Sequence, residues 1–135
     1  MLILTLDDER LSLEALTDAV RQALPKAETR AYSNAFDALT EIVRDGLCPD
    51  AVFTDIEMPG MSGLELAQRI QRDTPSANIV FMTGYKQYAL EAINMHCSGY
   101  VLKPATVEKI RAELRHMRIP FDSTDGALAP QGASL

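Results

Sequence analysis

Apolar residues fall along this chain in two rhythms. Four short runs are apolar almost throughout: Leu2-Ile3-Leu4-Thr5-Leu6, Ala51-Val52-Phe53, Ile79-Val80-Phe81-Met82 and Tyr100-Val101-Leu102. Near-continuous apolar character, not alternation, is what a strand shows when both faces of its sheet are covered. A fifth run, Glu28-Thr29-Arg30-Ala31-Tyr32, is polar enough to suit a sheet edge. Between the runs the apolar positions recur at helical spacing: Leu13, Leu16, Val20 and Leu24, then Phe36, Leu39 and Val43, then Leu66 and Ile70. The pattern predicts a fourth helix from Lys86 to Met95 and a fifth from Val107 to Met117 with Ile110 and Leu114 on one face. Ser62 followed by Glu65 is a capping-box pattern for the third helix, and Gly46 and Pro49 stand where the second should stop.

A strand-helix unit repeated in this way predicts an α/β protein with a doubly wound parallel sheet. Parallel neighbours need right-handed helical crossovers, and these cover both faces. In such sheets ligands sit beyond the C-terminal strand ends, so the polar residues that close each strand are the place to look for chemistry. After Met117 the periodicity fades into Ile119-Pro120 and a Ser, Thr, Asp, Gly, Ala, Pro and Gln mixture. The expected organisation is therefore one ordered domain over 1–118 and a flexible tail or the start of a linker over 119–135.

Composition narrows the class. With 135 residues, 47% of them hydrophobic and 24% charged, the chain can bury one sizeable core without disulfides or structural metal. No apolar run approaches the roughly 20 residues needed to span a bilayer, and the start lacks the basic flank of a signal peptide; a cytoplasmic location is expected, with no membrane contact. Cys48 and Cys97 lie too far apart in sequence for a Cys-x-x-Cys motif and are expected as reduced, buried thiols. The formal charge of −6 argues against direct nucleic-acid binding, which needs a surplus of Lys and Arg.

The residues closing the strong strands are Asp7 and Asp8, Asp55, Thr83 and Lys103. Neighbouring carboxylates repel and raise one another's pKa unless a cation neutralises them. Mg²⁺, with Mn²⁺ as a substitute, suits oxygen donors and commonly takes one or two carboxylates plus a phosphate. Beside such an ion a carboxylate can act as a nucleophile toward a phosphoryl group, while Lys103 and the Thr83 hydroxyl stabilise its oxygens. Asp55 is the best nucleophile, because it closes the central strand and is followed by the loop Ile56-Glu57-Met58-Pro59-Gly60-Met61-Ser62-Gly63.

These residues, together with Met58-Pro59, Gly63, Thr83-Gly84, Tyr100 and Lys103-Pro104 in their order and spacing, resemble the receiver domains of two-component response regulators over roughly residues 1 to 117. The resemblance implies the flavodoxin-like (βα)5 fold with strand order 2-1-3-4-5. It implies a phosphorelay signal-transduction protein, not an enzyme acting on external substrates, that takes a phosphoryl group from a sensor histidine kinase or phosphotransfer protein onto Asp55. It further implies a metal site formed by Asp7, Asp8, Asp55 and the backbone carbonyl of Glu57, phosphate sensing by Thr83 and Lys103, a conformational switch through Thr83 and Tyr100, and a cis bond before Pro104. The run Thr83-Gly84-Tyr85 with Tyr88-Ala89 and Ala92, before Gly99-Tyr100-Val101-Leu102-Lys103-Pro104, is similar to receivers that precede LytTR-type DNA-binding domains. Such an output domain needs about a hundred further residues, so an isolated receiver and a stand-alone single-domain regulator both remain open. A phosphorylation-dependent homodimer is expected through helix 4, strand 5 and helix 5, with Tyr85, Lys86, Tyr88, Glu91, Lys109, Arg111, Glu113, Arg115 and Arg118 on that face, against the simpler reading of a solvated charged face.

Blander and competing readings stand beside these. Asp7 or Asp8 alone could be an ordinary helix cap, Lys103 a surface lysine and Pro104 a helix stop. His96 and His116 carry no role, and the methionines read as core and loop filling. A haloacid-dehalogenase-type phosphatase would place a second Asp two positions after the nucleophile, where Glu57 stands. A flavodoxin-like FMN carrier would need a Ser/Thr-rich loop after the first strand, where the acidic pair stands. A receiver-like module that is never phosphorylated would leave the full set of groups unused.

Overall fold

The computed structural model describes residues 1–84, 89–94 and 97–117. The elements follow in strict alternation: β1 (Leu2–Leu6), α1 (Arg10–Ala23), β2 (Glu28–Tyr32), α2 (Ala35–Asp45), β3 (Ala51–Asp55), α3 (Gly63–Asp73), β4 (Asn78–Thr83), α4 (Ala89–Asn94), β5 (Gly99–Leu102) and α5 (Val107–Leu114). All pairings are parallel, in the order β2-β1-β3-β4-β5, the order the resemblance implies. Lys86 and Met95, the expected limits of the fourth helix, lie outside the described residues, as do Tyr85, Tyr88, His96, Arg118 and the tail 119–135.

β1, β3, β4 and β5 each feed two cores because successive side chains point to opposite faces, while the edge strand β2 adds only Tyr32 to one of them. Ile3, Ala51, Phe53, Val80, Met82 and Val101 pack on one face against Leu16 and Val20 of α1 and Ile110 and Leu114 of α5. Leu4, Leu6, Val52, Ile79 and Phe81 pack on the other against Ala38 and Ile42 of α2, Leu66 and Ile70 of α3 and Ala92 of α4. Phe53 and Phe81, both fully buried, are among the largest single contributors, at about 1.5–3 kcal/mol each. The helix signals are realised in detail. Asn34, Ser62 and Thr106 accept the N–H of Asp37, Glu65 and Lys109 as N-caps, and Gly46 closes α2 at φ 67°, a left-handed conformation that glycine adopts without steric penalty.

Three expectations need correction. The buried stripe of α2 is Ala35, Ala38 and Ile42, while Phe36 and Val43 are 53% and 66% exposed. Both sets recur every three to four residues, and the small alanines allow the helix to lie closer to the sheet. Cys48 is exposed and Cys97 half-buried, both as free thiols; Cys48 sits in the segment after α2, beyond the packed elements. The fifth helix ends at Leu114, one turn before Met117.

Candidate functional site

The site forms where the chain leaves β1, β3 and β5. Asp55 is the last residue of β3 and is buried. The chain must then turn back tightly: Gly63 donates its N–H to the Ile56 carbonyl at 2.8 Å, and a Cβ at Gly63 would stand 2.0 Å from the Asp55 carbonyl oxygen. Only a glycine fits there. Gly60, at φ 83°, lies under the ring of Phe36, which gives that exposed aromatic a contact with the loop. Met58 and Met61 are buried beneath it, as filling residues should be.

Asp7 follows β1 and is 1% exposed. One of its carboxylate oxygens accepts the Glu9 N–H at 2.9 Å and the other accepts from Lys103 Nζ at 2.7 Å. The local cap-like role and the charged role are therefore held by the same side chain. Lys103 follows β5, donates its backbone N–H to the Thr83 carbonyl at 2.8 Å, and reaches Asp55 Oδ2 at 3.2 Å. Asp55 Oδ1 accepts the Ile56 N–H at 2.7 Å. Asp8 is exposed, yet Asp7, Asp8 and Asp55 each offer an oxygen within 4.8 Å of the others. Asp8, Glu9, Asp55, Glu57, Gly84 and Lys103 line a cleft of about 420 Å³. Glu9 carries no signal in the sequence beyond adjacency to the acidic pair, and Gly84 enters there only as the partner of Thr83 in the Thr83-Gly84 pair.

Charge in this cleft is unbalanced. Burial raises the Asp55 pKa above the usual carboxylate range; Lys103 opposes that shift and Asp7 adds to it. For Lys103, burial acts to lower the pKa, but the hydrogen bonds and charges of Asp7 and Asp55 outweigh it and hold the ammonium above its ordinary value. Two carboxylates thus share one ammonium, with the Asp8 carboxylate within 4.8 Å of both. The surplus negative charge and the all-oxygen donor set match a hard divalent cation and no soft one.

Thr83 closes β4 and is fully buried, in register with Leu102. Tyr100, in register with Phe81, is half-buried against the core on the α2, α3 and α4 face. The two side chains share a face of the sheet by the alternation of the strands. The Lys103-Pro104 peptide is cis. Two residues expected on an open interface are engaged elsewhere: Lys109 Nζ donates to the Leu102 and Pro104 carbonyls at 2.9 and 3.2 Å, and the Tyr100 N–H acts on the Glu113 carboxylate to lower its pKa. His116 is exposed.

Comparison with known proteins agrees with this geometry. The profile of the response regulator receiver domain matches residues 3–115. The positive alginate biosynthesis regulatory protein of Pseudomonas aeruginosa is 38% identical over 99% of this chain and 54% of its own length. The sensory transduction protein LytT of Enterococcus faecalis is 34% identical over 82% of this chain and 45% of its own length. The chain spans about half the length of these curated relatives. Among solved structures, the response regulator TrrA of Thermotoga maritima, in complex with Mg²⁺ and BeF, superposes with a TM-score of 0.73 at 29% identity over 84% of this chain and 96% of that one. The response regulatory domain of mrkE from Klebsiella pneumoniae gives 0.75 at 28% identity over 87% and 94%.

Proposed function

Because the chain belongs to the response-regulator receiver family, we propose that it is a phosphorylation switch whose acceptor is Asp55. The observation that carries this reading is Lys103 Nζ bonded to both Asp7 and Asp55 in a cleft where three carboxylates converge. A charge surplus of that kind disfavours folding and is hard to explain as scaffold.

The chemistry follows from the donors. A carboxylate oxygen of Asp55 forms a bond to phosphorus as the donor's bond breaks, phosphorus–nitrogen for a phosphohistidine of a sensor kinase or phosphotransfer protein, phosphorus–oxygen for acetyl phosphate. Asp55 is presented by the Ile56 N–H and by Lys103, and the ammonium is placed to neutralise the arriving oxygens. Asp7, Asp8, Asp55 and the Glu57 carbonyl would hold Mg²⁺ or Mn²⁺. When bound, that cation supplies the counter-charge that the three carboxylates and a phosphoryl group lack. Thr83 takes a phosphoryl oxygen and leaves space that Tyr100 fills, giving the switch its two positions. The domain acts on its own Asp55 and not on external substrates.

The LytT and alginate-regulator likenesses support a transcriptional output through a LytTR-type domain, in a cytoplasmic protein. The test is incubation with acetyl phosphate with and without Mg²⁺, read by intact mass. A metal-dependent gain of one phosphoryl group, lost in Asp55→Asn, supports the reading; undiminished labelling of Asp55→Asn, or turnover of an external phosphomonoester, sinks it.

A further inference from the structure

Among the described residues β5 is an edge strand, bonded to β4 on one side only. An edge strand presents unpaired N–H and C=O groups along its open side. Lys103 points its backbone N–H inward to Thr83. The alternation of a strand therefore sends the amides of Tyr100 and Leu102 outward. Two of those outward groups face side chains of α5. The Glu113 carboxylate lies against the strand at Gly99, where a Cβ would stand 1.9 Å from Oε1, and the Tyr100 N–H acts on it to lower its pKa; Lys109, four residues earlier on α5, donates from Nζ to the Leu102 carbonyl at 2.9 Å and the Pro104 carbonyl at 3.2 Å. Residues four apart share one face of a helix. An acceptor and a donor on that face thus meet a strand N–H and a strand C=O in matching order.

Gly99 makes the approach possible. A Cβ there would stand 1.9 Å from Glu113 Oε1, so any side chain at 99 would displace the carboxylate. The position is not an accident of a mobile surface residue: Glu113 is half-buried, and burial raises its pKa, with the His116 charge and the Tyr100 N–H opposing. A carboxylate that gives up water in this way needs a specific partner, and the Tyr100 amide is that partner.

We infer that Lys109 and Glu113 are positioning residues, a two-point clamp that makes α5 move with the strand carrying Tyr100 and Lys103. The transmission half of this inference rests on the proposed phosphorylation switch; the clamp itself does not. Occupancy at Asp55 alters what Lys103 is bonded to, β5 carries Lys103, and the clamp hands any shift of β5 to α5 without an intervening loop. The same clamp closes the β5 edge to an added strand.

Two readouts separate the halves. Hydrogen exchange of the Tyr100 amide, followed by NMR on the whole chain, is expected to be about tenfold faster in Glu113→Ala, the loss of one charge-assisted bond. Gly99→Ala should accelerate it similarly without touching either charged residue, and Glu113→Gln, which keeps an acceptor, should restore protection. Unchanged protection of β1 and β3 amides shows that the variants fold. Tyr100 exchange unaltered in both Glu113→Ala and Gly99→Ala overturns the clamp, as does a Gln variant as fast as Ala. For transmission, beryllofluoride with Mg²⁺ should shift α5 amides in the parent and in Glu113→Gln. In Lys109→Ala/Glu113→Ala the shifts should stop at β5. Equal α5 shifts in the double variant overturn the coupling. A parent whose pocket amides ignore beryllofluoride contradicts the functional reading instead, and the exchange comparison still decides the clamp.

Discussion

Replacing Asp55 by Asn should stabilise the fold when no divalent cation is present. Asp55 has Asp7 and Asp8 oxygens within 4.8 Å and Lys103 Nζ at 3.2 Å. At the effective dielectric of about 20 that suits such sites, each repulsion is worth roughly 3.5 kcal/mol and the attraction roughly 5 kcal/mol. Asp8 is exposed, so its share is screened, and the pairwise sum comes out near zero. Burial therefore decides the sign: a carboxylate with its side chain only 10% exposed carries an uncompensated desolvation penalty, which agrees with the upward direction of its pKa. An isosteric amide keeps an acceptor for Lys103 and sheds the charge, which outweighs the loss of the acceptor that Asp55 Oδ1 offers the Ile56 N–H. The expected gain is about 1 kcal/mol, or about 4 °C in Tm for a domain of this size.

The assay is thermal and urea unfolding in EDTA, then in excess Mg²⁺. The metal should stabilise the parent by mass action and the variant much less, so the two curves converge or cross. The pH dependence carries the same sign. A carboxyl whose folded pKa lies above its ordinary value of 3.8 holds a proton in the folded state that it has lost in the unfolded one. Its contribution therefore falls as pH rises through that window. Glu113 adds a fall of the same sign in both proteins, so the difference between parent and variant isolates Asp55. Lys103→Ala gives the opposite result, a loss of about 2–3 kcal/mol, because Asp7 and Asp55 are then left buried without a counter-charge. An Asn variant no more stable than the parent in EDTA would refute the reasoning, since Lys103 would then compensate Asp55 in full.

Asp8→Ala should weaken Mg²⁺ binding at least tenfold in a calorimetric titration while leaving stability in EDTA within about 0.5 kcal/mol, because Asp8 is exposed; an unchanged affinity would remove it from the ligand set. Gly63→Ala should lower stability by about 3 kcal/mol in urea, since its Cβ would stand 2.0 Å from the Asp55 carbonyl oxygen, and a neutral result would mean that the loop re-forms elsewhere. Sedimentation with and without beryllofluoride tests the expected homodimer through α4, β5 and α5; a monomer in both conditions, with unchanged partner binding, rules it out.

Much of this was legible in the sequence because burial on both faces leaves a strong trace. Four of the strands are apolar runs that no other element explains, and the residues that end them, Asp7, Asp55 and Lys103, are the ones joined by hydrogen bonds at 2.7 and 3.2 Å. Periodicity failed where it offered two answers. On α2, Phe36, Leu39 and Val43 and the set Ala35, Ala38 and Ile42 both repeat at helical spacing, and hydrophobic size favoured the first, of which Leu39 packs against the core while Phe36 and Val43 are exposed. The winning stripe is decided by how closely the helix can approach the sheet, which is a property of the neighbour. Lys109 and Glu113 read as surface charge because their partners are backbone groups of β5, which carry no side-chain signature. Gly99 was the available clue, a glycine inside a strand marking close approach by another group.

The pocket and the clamp are connected by the same lysine strand, and that connection bears on why the fold tolerates an overcharged site. A pocket neutralised by a second lysine would be more stable and would attract neither a divalent cation nor a change at Lys103 when one arrived. With Lys103 shared between Asp7 and Asp55, adding a cation or a phosphoryl group alters what the ammonium must balance. The change then falls on β5, because Lys103 follows that strand directly and its N–H is tied to Thr83 at the end of β4. On the opposite side of the sheet order, the doubly attached cation is Arg30 of β2, which pairs with Glu28 and Glu41 in solvent, where ion pairs contribute little. At the β5 end, by contrast, one ammonium joins two buried carboxylates, so a change of charge in the pocket bears on that strand and not on β2.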